Sequence, residues 1–494
     1  MIYFELLKLA APEAILVLTA LAVLVAGLTS ERRAVAAAVS AAPPAASLSK
    51  FLAFVGMVLS AAAILKLPQN ANLFGGMLVV SPLNSLFKIV CLTLAAATVL
   101  LSPSGNRWQN RGEYLAIILL ATLGLMLLVG SEELLMIFIG LELLGLSLYI
   151  LTAFDKTDIR SAEAGLKYFL FGSTASAFTL FGISLIYGIS GTTSLAGVAA
   201  KITAIQPLLA VGLVMTLVGF AFKIAAAPFH LWAPDTYQAA PVSSAGFIAS
   251  GSKVASFVVL GKIVLIGFGS VRGSAMWHGA AAGWSPLLAF LAALSILLGN
   301  FAALVQTNVR RLLAYSAVAH AGYTLLGLIA GGRDGFSATL FYTTIYAITL
   351  VGAFGVCGAV RDQTGGDDLK NFAGLRLRSP FLAACMSIFL LSLAGIPPLA
   401  GFFGKFYLFS VALRAGGEHG LVWLVVIALF GSFVSLYYYL IVLKTILVDR
   451  TAIDTAAGHI GIAPRGVLFV TAAAIVLLGV VPTPLVNQIL ASLP

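Results

Sequence analysis

The stretch Val211–Ala227, VGLVMTLVGFAFKIAAA, carries a single charge, Lys223, and runs straight into Pro228-Phe229-His230-Leu231-Trp232. A segment so long and so apolar reads as bilayer-embedded, and a lysine at that depth costs roughly 2.5–3.5 kcal/mol on insertion scales. Pro228, five residues after the lysine, removes a backbone donor, so the helix is expected to kink or break. Non-helical backbone at membrane depth is tolerated where it is buried in protein or lines a wet cavity. A buried lysine beside such a break is the sequence of a proton or ion path.

Composition sets the fold class. With 61% hydrophobic and only 9% charged residues among 494, the chain has too little polar surface to cover a water-soluble globule. It reads as an all-α, polytopic membrane protein. A formal charge of +10 would suggest nucleic acid as the partner of a soluble protein. Here the basic residues fall mostly in short loops between apolar runs, so they are topology signals and no nucleic-acid partner is expected. Cys91, Cys357 and Cys385 each stand alone in an apolar run, without the CxxC or Cys/His spacing of zinc or iron–sulfur sites, so no metal site is expected. Glu5 and Lys8 precede the first apolar run with no evident small-residue cleavage site. That segment is expected to be a retained helix.

Runs able to cross a hydrocarbon core about 30 Å thick fall at 9–29, 51–67, 83–101, 113–130, 132–153, 162–188, 206–230, 238–269, 284–305, 309–331, 336–361, 380–413, 421–447 and 465–490. The expectation is about fourteen transmembrane helices in a single transmembrane domain, 1–494. Loops after odd-numbered spans hold Arg32, Arg33, Lys50, Arg107, Arg111, Lys156, Arg160, Arg310, Arg311, Arg361, Lys370, Arg376, Arg378, Lys444, Arg450 and Arg465. The other side holds only Lys8, Lys66, Lys201, Arg272, Arg333 and Arg414. The excess places the first set of loops in the cytoplasm and both termini outside.

The remaining lysines, Lys88, Lys167, Lys223, Lys253, Lys262 and Lys405, lie inside predicted spans, joined by Glu142, His230 and His320 and by Asp235 just after the seventh span. Lys88, Lys167 and Lys262 can be read as side chains that snorkel to an interface. Lys223, Lys253 and Lys405 sit deeper. Glu142 is the single carboxylate within Leu134–Leu151, and Lys223 is its expected partner. Small movements between two such charges change how tightly the lysine holds its proton; a static ion pair that fixes helix packing is the alternative. His320 is the lone histidine, acid or lysine inside its helix. An imidazole suits a relay between lysines, and a packing histidine is the competing reading.

A second interruption echoes the first. Gly395-Ile396-Pro397-Pro398-Leu399-Ala400-Gly401-Phe402-Phe403-Gly404-Lys405 puts two prolines and three glycines inside a span and ends on a lysine. Paired broken segments point to two inverted five-helix repeats with a site in each half. They would be helices 4–8 (113–269) and 9–13 (284–447), with broken helices 7 and 12, flanked by N-terminal helices 1–3 (1–101) and a C-terminal helix (465–490).

The run Phe222-Lys223-Ile224-Ala225-Ala226-Ala227-Pro228-Phe229-His230-Leu231-Trp232-Ala233-Pro234-Asp235-Thr236-Tyr237-Gln238-Ala239-Ala240-Pro241 resembles the signature of the antiporter-like membrane subunits of respiratory complex I. Gly140-Leu141-Glu142, Arg310-Arg311-Leu312-Leu313-Ala314-Tyr315-Ser316, His320-Ala321-Gly322-Tyr323 and Gly395–Lys405 extend the likeness across nearly the whole chain. Tyr237 and Lys405 set it apart from the M type, which resembles a glutamate-bearing version. The end soon after the fourteenth span sets it apart from the L type with its long lateral helix.

The resemblance implies a proton pathway through Glu142, Lys167, Lys223, Lys253, His320 and Lys405, driven by electron transfer from NADH to quinone in other subunits. It implies a non-redox subunit of a translocase. NADH, FMN, iron–sulfur clusters and quinone would be bound by partner subunits, with no cofactor in this chain. Partners would be the bilayer and other membrane subunits, including subunits M and K, in a bacterial inner membrane with periplasmic termini. The alternative is a subunit of a multi-subunit cation/proton antiporter or a membrane-bound hydrogenase. A passive scaffold, whose buried charges only lock helices together, is a third reading.

Overall fold

The computed structural model describes residues 7–36, 45–68, 70–102, 110–415, 420–449 and 460–493. Glu5, Arg107 and Arg450, used above as signal and topology marks, lie outside the described residues. The N-terminal part holds α1 (Ala11–Ala36), α2 (Ala45–Leu65), a short antiparallel hairpin of β1 (Ala71–Leu73) and β2 (Leu78–Val80), and α3 (Pro82–Leu101). Next come α4 (Arg111–Gly130), α5 (Leu134–Thr152), α6 (Ile159–Ser190), the short α7 (Leu195–Lys201), α8 (Pro207–Lys223), α9 (Trp232–Ala239) and α10 (Val242–Lys262). The second half holds α11 (Trp284–Leu304), α12 (Val309–Ala330), α13 (Gly332–Thr364), the short α14 (Leu369–Phe372) and α15 (Leu375–Arg378), α16 (Pro380–Ala394), α17 (Ala400–Arg414) and α18 (Val422–Leu447). α19 (Ile462–Val480) and α20 (Thr483–Ser492) close the chain.

The molecule is an all-α polytopic membrane protein. Among the described residues twelve helices are long and apolar enough to cross a membrane, and α8 and α16 are shorter apolar helices. Each of these two is the first part of a span that the sequence reads as interrupted.

Local chemistry sets the ends. Asp158 caps α6 by accepting from Arg160 N, and Asn308 caps α12 by accepting from Arg311 N, so a donor with no intrahelical partner is satisfied at each. Gly191, Gly365 and Gly395 end α6, α13 and α16 in the left-handed region that favours glycine.

Both interruptions occur where the proline arithmetic places them, with one difference in position. The first helix stops at Lys223, ahead of Pro228, because Ala225 adopts a φ of 57°. The segment 224–231 then runs non-helically through a cis Ala227–Pro228 bond. Its backbone finds substitutes for the lost ladder: Ala227 N donates to Ser295 Oγ at 2.8 Å, and Trp232 Nε1 donates to Phe222 O at 3.0 Å. The second gap, with a cis Pro397–Pro398 bond, is closed by Gly401 N donating to Ser392 Oγ at 3.2 Å. A Cβ on Gly401 would stand 1.9 Å from Ser392 O. Only glycine lets α17 restart this close to the end of α16.

The centre of the bundle is α10, in which every residue from Ser243 to Lys262 is buried, with α12 and α13 against it. Apolar side chains such as Leu18, Phe181, Phe433 and Phe469 face outward, as expected where lipid is the solvent. The loops sort into two groups. At one end, Arg310 pairs with Asp367 at 2.7 Å and Asn308 Nδ2 donates to Asp368 Oδ1 at 3.1 Å, joining loops that the basic-residue count assigns to one face. At the other end, Glu132 N donates to Gly76 O, Leu134 N to Thr193 O, and Arg333 to Leu490 O and Leu493 O, joining loops assigned to the opposite face.

Candidate functional site

Lys223 is the last residue of α8 and is buried, 5% exposed. Its ammonium has no hydrogen-bond partner among the described residues. It lies 5.5 Å from the Tyr149 ring centroid and 3.0 Å from where a Cβ on Gly145 would stand. Gly145 leaves the lysine room to reach the face of α5. Glu142, on that same helix about one turn away, instead accepts from Ser176 Oγ of α6.

The expected Glu142–Lys223 ion pair is therefore not formed. The hydroxyl of Ser176 takes the carboxylate while Lys223 meets α5 at the level of Gly145. Other buried polar atoms of the two halves also lack a hydrogen-bond partner among the described residues: Tyr168 Oη, Thr236 Oγ1, Tyr237 Oη, Ser252 Oγ and Tyr346 Oη, with His230 Nδ1 in the break itself. Buried polar groups are rarely left unpaired, and those that lack protein partners are satisfied by internal water. Trp232 stacks on Tyr168 with centroids 4.1 Å apart and approaches Tyr237 at 6.2 Å, so the restart of the helix packs against α6 beside these hydroxyls.

From Lys253 onward the groups are drawn tightly together. Lys253 of α10 donates to Ala317 O at 2.5 Å and sits over the Tyr346 ring, 5.3 Å from its centroid. The ring of His320 lies 5.0 Å from Tyr346 and 5.5 Å from Tyr323. Its Nδ1 is 2.6 Å from Tyr342 Oη and its Nε2 is 3.1 Å from Tyr439 Oη. Lys405, on α17, lies over the Tyr323 ring at 5.3 Å and donates to Ala394 O at 3.1 Å and Ser432 Oγ at 2.9 Å. His320 thus stands between Lys253 and Lys405, one aromatic ring from each.

Lys167 is placed elsewhere. Its side chain is 42% exposed and pairs with Glu163 at 2.7 Å and with Asp235 at 2.9 Å. Asp235 also pairs with Arg311 at 2.6 Å, so these charges form a cluster at one end of the bundle, beyond the first break. The snorkelling reading of Lys88 and Lys262 fails. Both are buried, with side chains 3% and 0% exposed, and both have carboxylate partners, Glu13 and Glu132. Position near the end of a span does not reveal that neighbouring helices close over it.

Nothing in the sequence pattern singles out Tyr342 and Tyr346, which share a helix face by their i,i+4 spacing and both meet His320. Among the described residues no group of three or more His, Cys, Asp or Glu could hold a metal ion.

The sequence profile of a membrane family described as NADH:quinone oxidoreductase/Mrp antiporter, TM, matches residues 131–435. NADH-quinone oxidoreductase subunit N 2 of Acidobacterium capsulatum is 47% identical over 98% of this chain and 98% of that protein. NADH-quinone oxidoreductase subunit N of Desulforamulus reducens is 41% identical over 85% of this chain and 86% of its own length. A chain in the structure of respiratory complex I from Thermus thermophilus with bound Aureothin matches with a TM-score of 0.78 and 32% identity, covering 96% of this chain and 98% of that one.

Proposed function

Because the chain belongs to the family of NADH-quinone oxidoreductase subunit N, a proton-translocating membrane subunit of complex I, we propose that its protons move through Glu142, Lys223, Lys253, His320 and Lys405. The observation that carries this reading is the buried Lys223 ammonium with no hydrogen-bond partner among the described residues, about one turn along α5 from Glu142. A buried charge that lacks a partner is costly. A shift of α5 against α8 brings Glu142 into reach, and entry of water serves the same group differently. Each alters how firmly the lysine holds its proton.

On this reading protons come from the cytoplasm past the Lys167–Asp235–Arg311 cluster and reach Lys223 beside the first break. They then cross to Lys253 through the region of Tyr168, Tyr237 and Tyr346. His320 passes them to Lys405, and they leave outside. Lys167 serves as an entry group, since it is half-exposed and paired with Asp235 of the restarted helix. Electron transfer from NADH to quinone takes place in other subunits, which hold FMN, iron–sulfur clusters and quinone. This chain contributes no redox step and acts as a module of the translocase. Its neighbours would include subunits M and K, its termini would face the periplasm of a bacterial inner membrane, and 113–269 and 284–447 would be the inverted repeats.

The test is Lys223→Ala in the whole complex, reconstituted in vesicles. The expected result is an assembled complex whose proton transfer per NADH oxidised falls. Unchanged proton transfer with poor recovery of the complex would instead make the buried charges a scaffold. Purification together with the hydrophilic redox subunits separates this reading from a free-standing antiporter.

A further inference from the structure

A second set of buried charges lies away from the line just described. Lys262, at the end of α10, is fully buried and donates to Asn84 Oδ1 at 2.5 Å and to Val129 O at 2.8 Å. It also faces Glu132 Oε1 at 3.5 Å. Lys88 of α3 pairs with Glu13 of α1 at 2.6 Å, and its ammonium lies 2.8 Å from where a Cβ on Gly130 would stand. The two ammonium groups therefore flank the same last turn of α4, Val129–Ser131, from different helices. A helix C-terminus attracts cations through its unpaired carbonyls, which accounts for Lys262 on Val129 O. It does not account for the carboxylates.

The carboxylates are graded in exposure. Glu13 has its side chain 9% exposed and its Oε2 buried without a partner among the described residues. Glu132 is 31% exposed. Glu133, next in the chain, is already occupied: it caps α5 by accepting from Leu135 N and Met136 N at 3.1 and 2.6 Å. Glu132 is thus the one group of the set that is both within reach of Lys262 and partly open to solvent. It opens at the end of the bundle where Glu132 N meets Gly76 O, the face opposite the Arg310–Asp367 loops. Lys262 is followed at once by a π-helical turn, Ile263–Gly267, a widening of the helix that recurs at functional sites. Lys253, of the central line, is on the same helix, about 13 Å away at 1.5 Å per residue.

We propose that Glu13, Lys88, Lys262 and Glu132 form an outward-facing proton station for the first half of the molecule, separate from Lys405 in the second. The step is a proton transfer from the Lys262 ammonium to the Glu132 carboxylate, leaving a neutral amine and a carboxylic acid. That acid then gives its proton to water on the outer side. Lys88 and Glu13, behind the last turn of α4, hold the balancing charges. The proposal rests on the reading of the chain as a proton carrier.

The experiment compares Lys262→Ala, Lys262→Arg, Glu132→Gln and Lys223→Ala in the intact complex, reading protons moved per NADH alongside recovery of assembled complex. The station predicts that Lys262→Ala and Glu132→Gln each lower protons per NADH at least twofold in complex that assembles. Lys262→Arg restores the fold but not the transfer, because a guanidinium does not give up its proton. Normal protons per NADH in both Lys262→Ala and Glu132→Gln, with Lys223→Ala impaired, would overturn the station and leave the central line standing. A normal Lys223→Ala would instead remove the central line. If Lys262→Ala does not assemble, Glu132→Gln decides alone, since its side chain is solvent-open and keeps its shape.

Discussion

At the first break Lys223 is the last residue before the gap, and its ammonium finds no hydrogen-bond partner among the described residues. At the second, Lys405 follows the gap and donates both to Ala394 O, a carbonyl freed at the end of α16, and to Ser432 Oγ. The same ingredients, a lysine, prolines and a left-handed residue within a span, give a cation held by the break in one half and a cation left by it in the other. A settled ammonium stabilises the broken helix around it. An unsettled one is available to a moving partner, and Glu142, held by Ser176 nearby, is the carboxylate in position to move. On the proposed pathway this difference would make the first break the responsive one and the second the receiving one.

Substituting the two lysines tests that contrast most sharply. Lys223→Ala is expected to lower protons moved per NADH by tenfold or more while the complex assembles normally, because no protein acceptor loses its donor; vesicle acidification with parallel NADH oxidation measures both. Lys405→Ala is expected to cost about 1–3 kcal/mol of stability as well, since Ala394 O is left buried and unpaired. The midpoint of thermal or denaturant unfolding of the purified complex reads that cost. Equal stability losses for the two variants would erase the distinction.

Gly401→Ala probes the second break without touching a charge. With a Cβ meeting Ser392 O, it is expected to destabilise by about 1–3 kcal/mol and to reduce recovery of the complex, whereas Gly145→Ala at the first break should crowd Lys223 and lower transfer with little loss of recovery. The smallest effect belongs to Ser176→Ala. Freed from its hydroxyl, Glu142 should turn to Lys223, changing protons per NADH by about twofold, and an unaltered ratio would mean that Ser176 does not hold the carboxylate in the working protein.

The fold class was legible because lipid exposure imposes a plain rule on composition, and the breaks were legible because proline and glycine act locally. The deep lysines were legible for the same reason: a charge in a long apolar run is conspicuous. The pairing of Glu142 was not, because Ser176 is an unremarkable residue on another helix whose reach depends on how α6 packs against α5. The sequence left Lys88 and Lys262 open between snorkelling and burial for a related cause. Nothing local shows that α1, α3 and the end of α4 close over them and supply Glu13, Asn84, Val129 O and Glu132.

By itself, then, the sequence determined that this chain lives in a membrane as a bundle of apolar helices, that two of them are interrupted, and that Lys223, Lys253 and Lys405 are immersed. Those follow from transfer energies and backbone chemistry that act within a few residues. Only the tertiary structure decided which immersed cation is held and which is unattended, that His320 stands one ring from each of two lysines, and that a second charged set gathers at the end of α4. Such facts depend on which helix faces come together, and contact across distant segments is invisible to any local pattern.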